Sequence, residues 1–428
     1  MVNCRHFGQC GGCTYLDIPY SEELSRKEAA IRETLGPYSH LLEGLIPSPS
    51  PDGYRNKMEL AFGDEGKDGR LALGIRKRRS FYEVATVEDC VLIHDDFKKI
   101  ASCVLEYFRE NGEPFFHRKR HIGSLRHLVL RRGQFTSEVL INLSTTSGLQ
   151  SDLAPLVSQL HGLQLEGQLV GILHTINDGV ADTVKDENTH ILWGRDYFQE
   201  RICGLDFIVS AYSFFQTNSA GAQVLYGVVR DMAADFSAAP AALAYDLYCG
   251  TGTIAQVLSP YFDKVVGIEL NPDAIEAAKK NAMRNNITNC EFIAGDVLAV
   301  LNRDTSANNQ AVAAVTSEAS NHVTAATTSS AKNSAVTIVD PPRDGLHPKA
   351  LAKLIALAPP TLIYVACKPA SLARDLAALT ATGYKPIRAV GVDMFPRTPH
   401  VECVMLLHHA IMQENRKGQT SCKQQPPT

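Results

Sequence analysis

From Tyr54 to about Ser210 the chain runs in short apolar or alternating stretches broken by glycines: KMELAFG, RLALGIR, HLVLRRG, EVLINLS, LVGILHTI and LDFIVS. A period of two with β-branched content marks strands, so this pattern predicts a β-rich region. After Phe214 the texture changes. The strand-like runs ALAYDLY, KVVGIEL, CEFIAGD, AVTIVD and TLIYVAC alternate with helical periodicity, as in NPDAIEAAKKNAMRN, where Asn271 reads as an N-cap and Pro272 opens the first turn. Such alternation predicts an α/β domain with a doubly wound parallel sheet, whose ligands bind beyond the carboxyl ends of the strands.

These patterns divide the chain into a cysteine-bearing segment (1–20), a β-rich domain (21–210), an α/β domain (211–412) and a tail (413–428). The early helix within 21–210 is a candidate to pack on the α/β domain. Residues 302–334 are rich in Ala, Ser, Thr and Asn and nearly free of large apolar side chains. They are expected to form a disordered insertion, and the tail is expected to be unstructured too. With 428 residues, 45% hydrophobic and 21% charged, the composition is that of a globular protein. No apolar run approaches the ~18 residues of a membrane span, and no export signal is read at the start, so a cytoplasmic location is expected. Eleven scattered cysteines then argue for thiol or metal chemistry rather than a disulfide framework.

Charge adds one distinction. Up to Gln134 the chain carries 21 of its 42 Lys and Arg, clustered in RKRR at Arg76 to Arg79 and in HRKRHIGSLRHLVLRR at His117 to Arg132, which holds six basic residues and no acid. The cluster reads either as a solvated face or as a strip that neutralises nucleic-acid phosphates.

Candidate chemistry sits at the strand ends. DLYCGTGTIA, Asp246 to Ala255, follows a strand and opens a helix, and Glu269 ends the next strand where an acid can bind ribose hydroxyls. The spacing Gly250, Gly252, Ala255 also passes for a dinucleotide fingerprint. Asp246 weighs against that reading, because a carboxylate there repels a pyrophosphate but suits the ammonium and sulfonium of S-adenosylmethionine (SAM). Asp296, ending the third strand, is placed to accept from an adenine amine. Cys367 ends a strand before a helix opening near Pro369, and Asp340 ends another in IVDPPRDG. The helix end and Lys368 are expected to lower the pKa of the Cys367 thiol. A thiolate beside a methyl donor suits a carbon made electron-rich by addition, such as carbon 5 of uracil. Release then needs a base, for which Glu402 in DMFPRTPHVECV is the candidate.

SFFQTN (Ser213 to Asn218), DLYCGTG, IVDPPRDG, YVACKP and DMFPRTPHVE together resemble the RNA (uracil-5-)-methyltransferases, in the family's order and over nearly the whole chain. The resemblance implies a Rossmann-like SAM methyltransferase domain, with Cys367 as nucleophile and Glu402 as base. Gln216, Tyr248, Thr253, Glu269, Asp296 and Asp340 match positions lining the SAM and target-base site, and Arg343 matches the arginine after the paired prolines. It further implies an RNA substrate, 23S ribosomal RNA ahead of transfer RNA, with a flipped uridine, and a monomeric enzyme. Cys4, Cys10 and Cys13 have ligand-type spacing, which suits zinc or iron-sulfur alike. The family pattern supplies Cys90 as fourth ligand and implies a 4Fe-4S cluster.

Two departures stand out. Lys368 occupies the place of the family's usual asparagine, and the small β-barrel RNA-binding domain that opens many members is not read here, which shifts RNA binding to the basic central region. Rival readings are an N-directed SAM methyltransferase, which needs no Cys367, and a non-catalytic iron-sulfur RNA-binding protein.

Overall fold

The computed structural model describes residues 4–66, 69–180, 188–235, 242–297 and 336–410. The expected insertion at 302–334 and the tail at 413–428 lie outside the described residues. The chain forms two compact units: one of Met1–Glu23, Ser48–Ala222 and Phe395–Pro399, the other of Leu24–Pro47, Gln223–Met394 and His400–Thr428. These boundaries differ from those drawn at residues 20 and 210: the first unit runs on to Ala222, and two short stretches, Leu24–Pro47 and Phe395–Pro399, belong to the unit other than that of their neighbours in sequence.

In the first unit a seven-stranded sheet runs β4-β3-β2-β5-β6-β7-β8, with β2 Lys57–Asp64, β3 Leu71–Arg76, β4 Val84–Thr86, β5 Leu125–Arg132, β6 Glu138–Thr145, β7 Gln168–Ile176 and β8 Thr189–Gly194. Neighbours are antiparallel except β6 and β7, which helix α3 (Ala154–Gly162) connects. Helix α2 (Asp95–Glu110) starts at His94, whose side chain accepts from the Asp96 amide. Its residues Phe97, Ile100, Ala101, Val104, Leu105 and Phe108 recur at helical spacing and bury against Leu60, Phe62, Leu128, Leu130 and Ile141 of the sheet. A hairpin of β9 (Tyr197–Ile202) and β10 (Leu205–Ser210) completes the unit.

The basic strip at His117 to Arg132 is divided rather than continuous. Arg126, Arg131 and Arg132 are buried. Arg131 donates to the carbonyls of Ala211 and Ser213, Arg126 to those of Asn177 and Gly179, and Arg132 meets Asp96. Burial brings Arg131 down to about 10. These three arginines hold the unit together, so the expectation that the basic strands meet phosphates is corrected: only the turns remain exposed.

The second unit carries an eight-stranded sheet ordered β1-β16-β17-β15-β14-β11-β12-β13. Its strands are β1 Leu42–Ile46, β11 Leu243–Leu247, β12 Lys264–Glu269, β13 Cys290–Ala294, β14 Val336–Val339, β15 Thr361–Ala366, β16 Tyr384–Val392 and β17 Glu402–His409. The five central strands are parallel; α5 (Thr253–Leu258), α6 (Pro272–Arg284) and α7 (Pro348–Leu357) follow β11, β12 and β14, and α8 (Pro369–Ala381) leads from β15 to β16. As expected, Asn271 caps α6, accepting from the Asp273 amide at 2.9 Å. Chain order reverses between β11 and β14, which opens a crevice at their carboxyl ends. The doubly wound α/β sheet predicted from the alternation is present, extended by antiparallel β17 and by β16, with β1 parallel on its edge.

Candidate active site

In the second unit Leu247 and the residues after it leave β11 through a tight turn in which Tyr248, Gly250 and Gly252 all take positive φ. Gly252 is required there: a Cβ would stand 2.5 Å from the Phe292 ring. The turn is held from two sides. Glu269 accepts from the Gly250 amide at 3.2 Å and from the Asn271 amide at 2.9 Å, and Asp246 Oδ2 accepts from the Ala255 amide at 2.9 Å. Asp246 is fully buried, yet its Oδ1 has no hydrogen-bond partner among the described residues. Burial, with Asp340 and Glu269 nearby, pushes its carboxyl up to about 8. An orphaned buried carboxylate oxygen is costly unless a donor reaches it, and an ammonium group fits.

Around this turn gather the other predicted positions of the unit. Thr253 opens α5 and is buried. Tyr248 is half-buried, its phenol raised by burial and by the charges of Asp296 and Glu269, so these three residues share the mouth of β11, β12 and β13. Asp296 itself is exposed. Asp340 follows β14, and burial pushes it up to about 7.

The thiol lies on the other side of Asp340. β15 and β17 pair antiparallel, ending at Ala366 opposite Cys403; the next residues outward are Cys367 and Glu402. Ala366 and Cys403 turn into the apolar core with Tyr364 and Met405, so strand alternation sends Cys367 and Glu402 to the opposite face together. Glu402 is buried, and its Oε2 lacks a partner among the described residues. Burial and Asp340 hold its carboxyl well above the usual carboxylate range. Half-buried Cys367 differs from its expected state: burial and the charges of Glu402 and Asp340 raise the thiol to about 11, against the Arg343 charge and a backbone hydrogen bond acting downward. The helix end and Lys368 do not lower it, because low-dielectric surroundings and two carboxyls outweigh a helix terminus. Lys368 is exposed and makes no side-chain cap on α8.

Arg343 is exposed and reaches His400, its Nη2 2.9 Å from Nδ1. His400 was not singled out in the sequence. Its signal was position, two residues before Glu402 and hence on the same face of extended backbone. Gln216 belongs to the first unit, in the connection after β10, where its carbonyl accepts from Asn56 Nδ2 at 2.9 Å.

The first unit also gathers the four predicted ligand cysteines. Cys4, Cys10, Cys13 and Cys90 line one cavity with Phe7, Leu16, Ile75 and Leu92. Cys10 bridges to Lys77, and Arg78 donates to the Cys13 carbonyl, which ties the segment to the end of β3. Burial and the neighbouring cysteines push the Cys13 thiol up to about 12. Among the described residues, no three His, Cys, Asp or Glu side chains stand in a group that could hold a metal ion.

A family model described as tRNA (Uracil-5-)-methyltransferase matches residues 183–410. The chain belongs to the RNA uracil-5-methyltransferase family. It is therefore a SAM-dependent RNA methyltransferase, as the sequence motifs implied. Relatives agree over nearly the full length: an uncharacterized RNA methyltransferase of Clostridium tetani is 41% identical over 410 residues, 94% of this chain and 83% of the relative. One from Clostridium acetobutylicum is 40% identical over 414 residues, 96% and 84% of the two chains. Among solved structures the chain resembles the Pyrococcus abyssi tRNA (uracil-54, C5)-methyltransferase in complex with S-adenosyl-L-homocysteine, at 28% identity and a TM-score of 0.70 over 93% of this chain and 86% of that one. No helix among the described residues is long and apolar enough to cross a membrane.

Proposed function

We propose that this methyltransferase acts on carbon 5 of one uridine in a folded RNA loop through a covalent adduct with Cys367. The observation that supports this most is the register of β15 and β17, which sets Cys367 beside Glu402 at the carboxyl end of the sheet. Tyr248, Thr253, Glu269, Asp296 and Asp340 are the residues to hold SAM and the target base, and Asp246 Oδ1 suits the ammonium of the donor. The bound donor supplies a methyl group on a positively charged sulfur. Cys367 Sγ bonds to carbon 6 of the ring, and the displaced electron pair makes carbon 5 the nucleophile. After methylation Glu402 takes the proton from carbon 5, the ring double bond re-forms, and the C–S bond breaks with its electrons returning to sulfur. Flipping the uridine out of its stack makes the ring accessible to both side chains.

The family resemblance read in the sequence makes 23S ribosomal RNA our first substrate. Transfer RNA is the second reading, favoured by the substrate named for the Pyrococcus abyssi enzyme. The four cysteines line one cavity and are our candidates to hold a 4Fe-4S cluster with one thiolate per iron, although no three of the described side chains are grouped for a single metal ion; visible absorption and iron and sulfide content, lost in Cys90→Ser, test it. The protein is expected to act as a cytoplasmic monomer, which gel filtration and fractionation check. The decisive test is 5-fluorouridine-substituted RNA with SAM. Fluorine at carbon 5 cannot leave as a cation, so a stable complex mapping to Cys367 supports the adduct, and no complex refutes it. Mapping 5-methyluridine in ribosomal and transfer RNA with and without the gene decides between substrates.

A further inference from the structure

The cysteine segment and the turn that leads to Glu402 are bonded to each other within the first unit. The two residues after Cys13 donate their amides to one acceptor: Thr14 to the Arg397 carbonyl at 2.7 Å, and Tyr15 to the same oxygen at 3.1 Å. Arg397 has φ of 67°, a left-handed conformation that a long side chain adopts only when its surroundings impose it. Those surroundings are explicit. Its amide donates to buried Glu23 Oε1 at 2.7 Å, its guanidinium pairs with Asp52 at 3.0 Å, and the cation lies 5.5 Å from the centre of the Tyr20 ring. Tyr54 donates to the carbonyl of Pro396 next to it at 3.1 Å. The turn Phe395–Pro399 thus belongs wholly to the first unit, whereas Met394 before it and His400 after it belong to the second. On the upstream side Asp393 is held there by buried Lys27 at 2.7 Å.

We propose that the Cys13–Tyr15 segment and the Arg397 turn form one anchor that fixes the start of β17 and so sets the position of the Glu402 carboxyl. Arg397 is then a positioning residue, acting through the backbone that leads to Glu402. The cysteine segment is the other half of the anchor, which gives it a mechanical part in catalysis without electron transfer. The proposal rests on the reading of Glu402 as the base that resolves the adduct. A displaced carboxyl spares the bond formed by Cys367 and spoils the later proton removal, so the two steps separate.

The test compares Arg397→Ala, Arg397→Lys and Glu402→Gln in the full-length protein. With ordinary substrate RNA and SAM, Arg397→Ala is expected to lose ten- to a hundredfold in turnover while the covalent RNA–protein complex accumulates on denaturing gels, with SAM affinity unchanged. Arg397→Lys, which keeps a cation for Asp52, recovers most of the loss. Amide hydrogen exchange is expected to quicken at Glu402 to Val404 in Arg397→Ala and to stay unchanged in β14. Equal losses in adduct formation and release, or unchanged exchange at Glu402 to Val404, overturn the anchor. Failure of Glu402→Gln to accumulate the complex instead removes the base assignment, and the exchange measurement still decides whether Arg397 holds that strand.

Discussion

Cys367 and Glu402 stand opposite each other one step past Ala366 and Cys403, the last cross-strand pair of β15 and β17. Two side chains at the end of a shared ladder are held at a steady separation, because the ladder ties their backbones together. Glu402→Gln keeps the shape and removes the proton acceptor, and the same change spares a buried carboxyl its missing partner. Product release is expected to fall about 10²- to 10⁴-fold while the protein stays at least as stable. Trapped complex on a denaturing gel, together with thermal melts, checks both.

The pH dependence of turnover follows from the same pair. Glu402 is held well above the usual carboxylate range and Cys367 is raised to about 11. In the proposed mechanism both act in their ionised forms, and the ionised fraction of each grows as pH rises. Turnover per RNA encounter is therefore expected to climb steadily from pH 6 to pH 9 at saturating SAM. A flat profile over that range contradicts the assignment of either group.

Asp246 adds a stability effect of opposite sign. Its carboxyl titrates near 8 in the fold and near 3.9 in an unfolded chain, so between those limits the folded state holds a proton that the unfolded state has released. Stability is fully present below pH ~4 and falls as pH rises toward 8, by up to about 1.4 kcal/mol per pH unit for this group alone. Asp246→Asn is expected to flatten the loss seen between pH 6 and pH 8 in denaturant melts, and to weaken SAM binding at least tenfold by calorimetry.

Lys368 offers a smaller test. It sits at the N-cap of α8 in extended conformation without a side-chain cap, and its carbonyl accepts from Ser371 instead. Lys368→Asn supplies a side chain able to accept from a first-turn amide, for an expected gain of about 1 kcal/mol. Urea melts of the SAM-bound protein measure it.

Much of this arrangement was legible in the chain because it is local. The five parallel strands, the Asn271 cap and the glycine turn after Asp246 each follow from residues within a few positions of one another. What was not legible depends on distant pairing. β1 joins the second unit only because Leu42 registers with Ala389, and the Phe395–Pro399 turn returns to the first unit through Thr14, Glu23 and Asp52. The Cys367 pKa was misjudged for a similar reason: its helix was visible in the sequence, but the nearness of Asp340 and Glu402 depends on the order of β14, β15 and β17.

The divided basic strip makes the last prediction. Arg79, Lys119 and Arg120 are exposed, on turns that His117 and Tyr82 bring together by stacking at 4.3 Å between ring centres. Phe81 beside Arg79 is 71% exposed, and Ile122 beside the other turn 57%, so charge for phosphates and an aromatic face for an unstacked base lie side by side. Lys119→Ala and Arg120→Ala are expected to raise the KM for RNA several-fold, and each to lower the slope of log affinity against log salt by about 0.7–0.9. Phe81→Ala weakens binding without changing that slope, since stacking releases no counterion. Arg131→Ala behaves differently from all of these. It strips the donors from the carbonyls of Ala211 and Ser213 and costs roughly 2–4 kcal/mol of stability, with the salt slope of the folded protein unaltered. If Arg131→Ala instead changed the salt slope while stability held, the strands and not the turns would be the RNA-contacting surface.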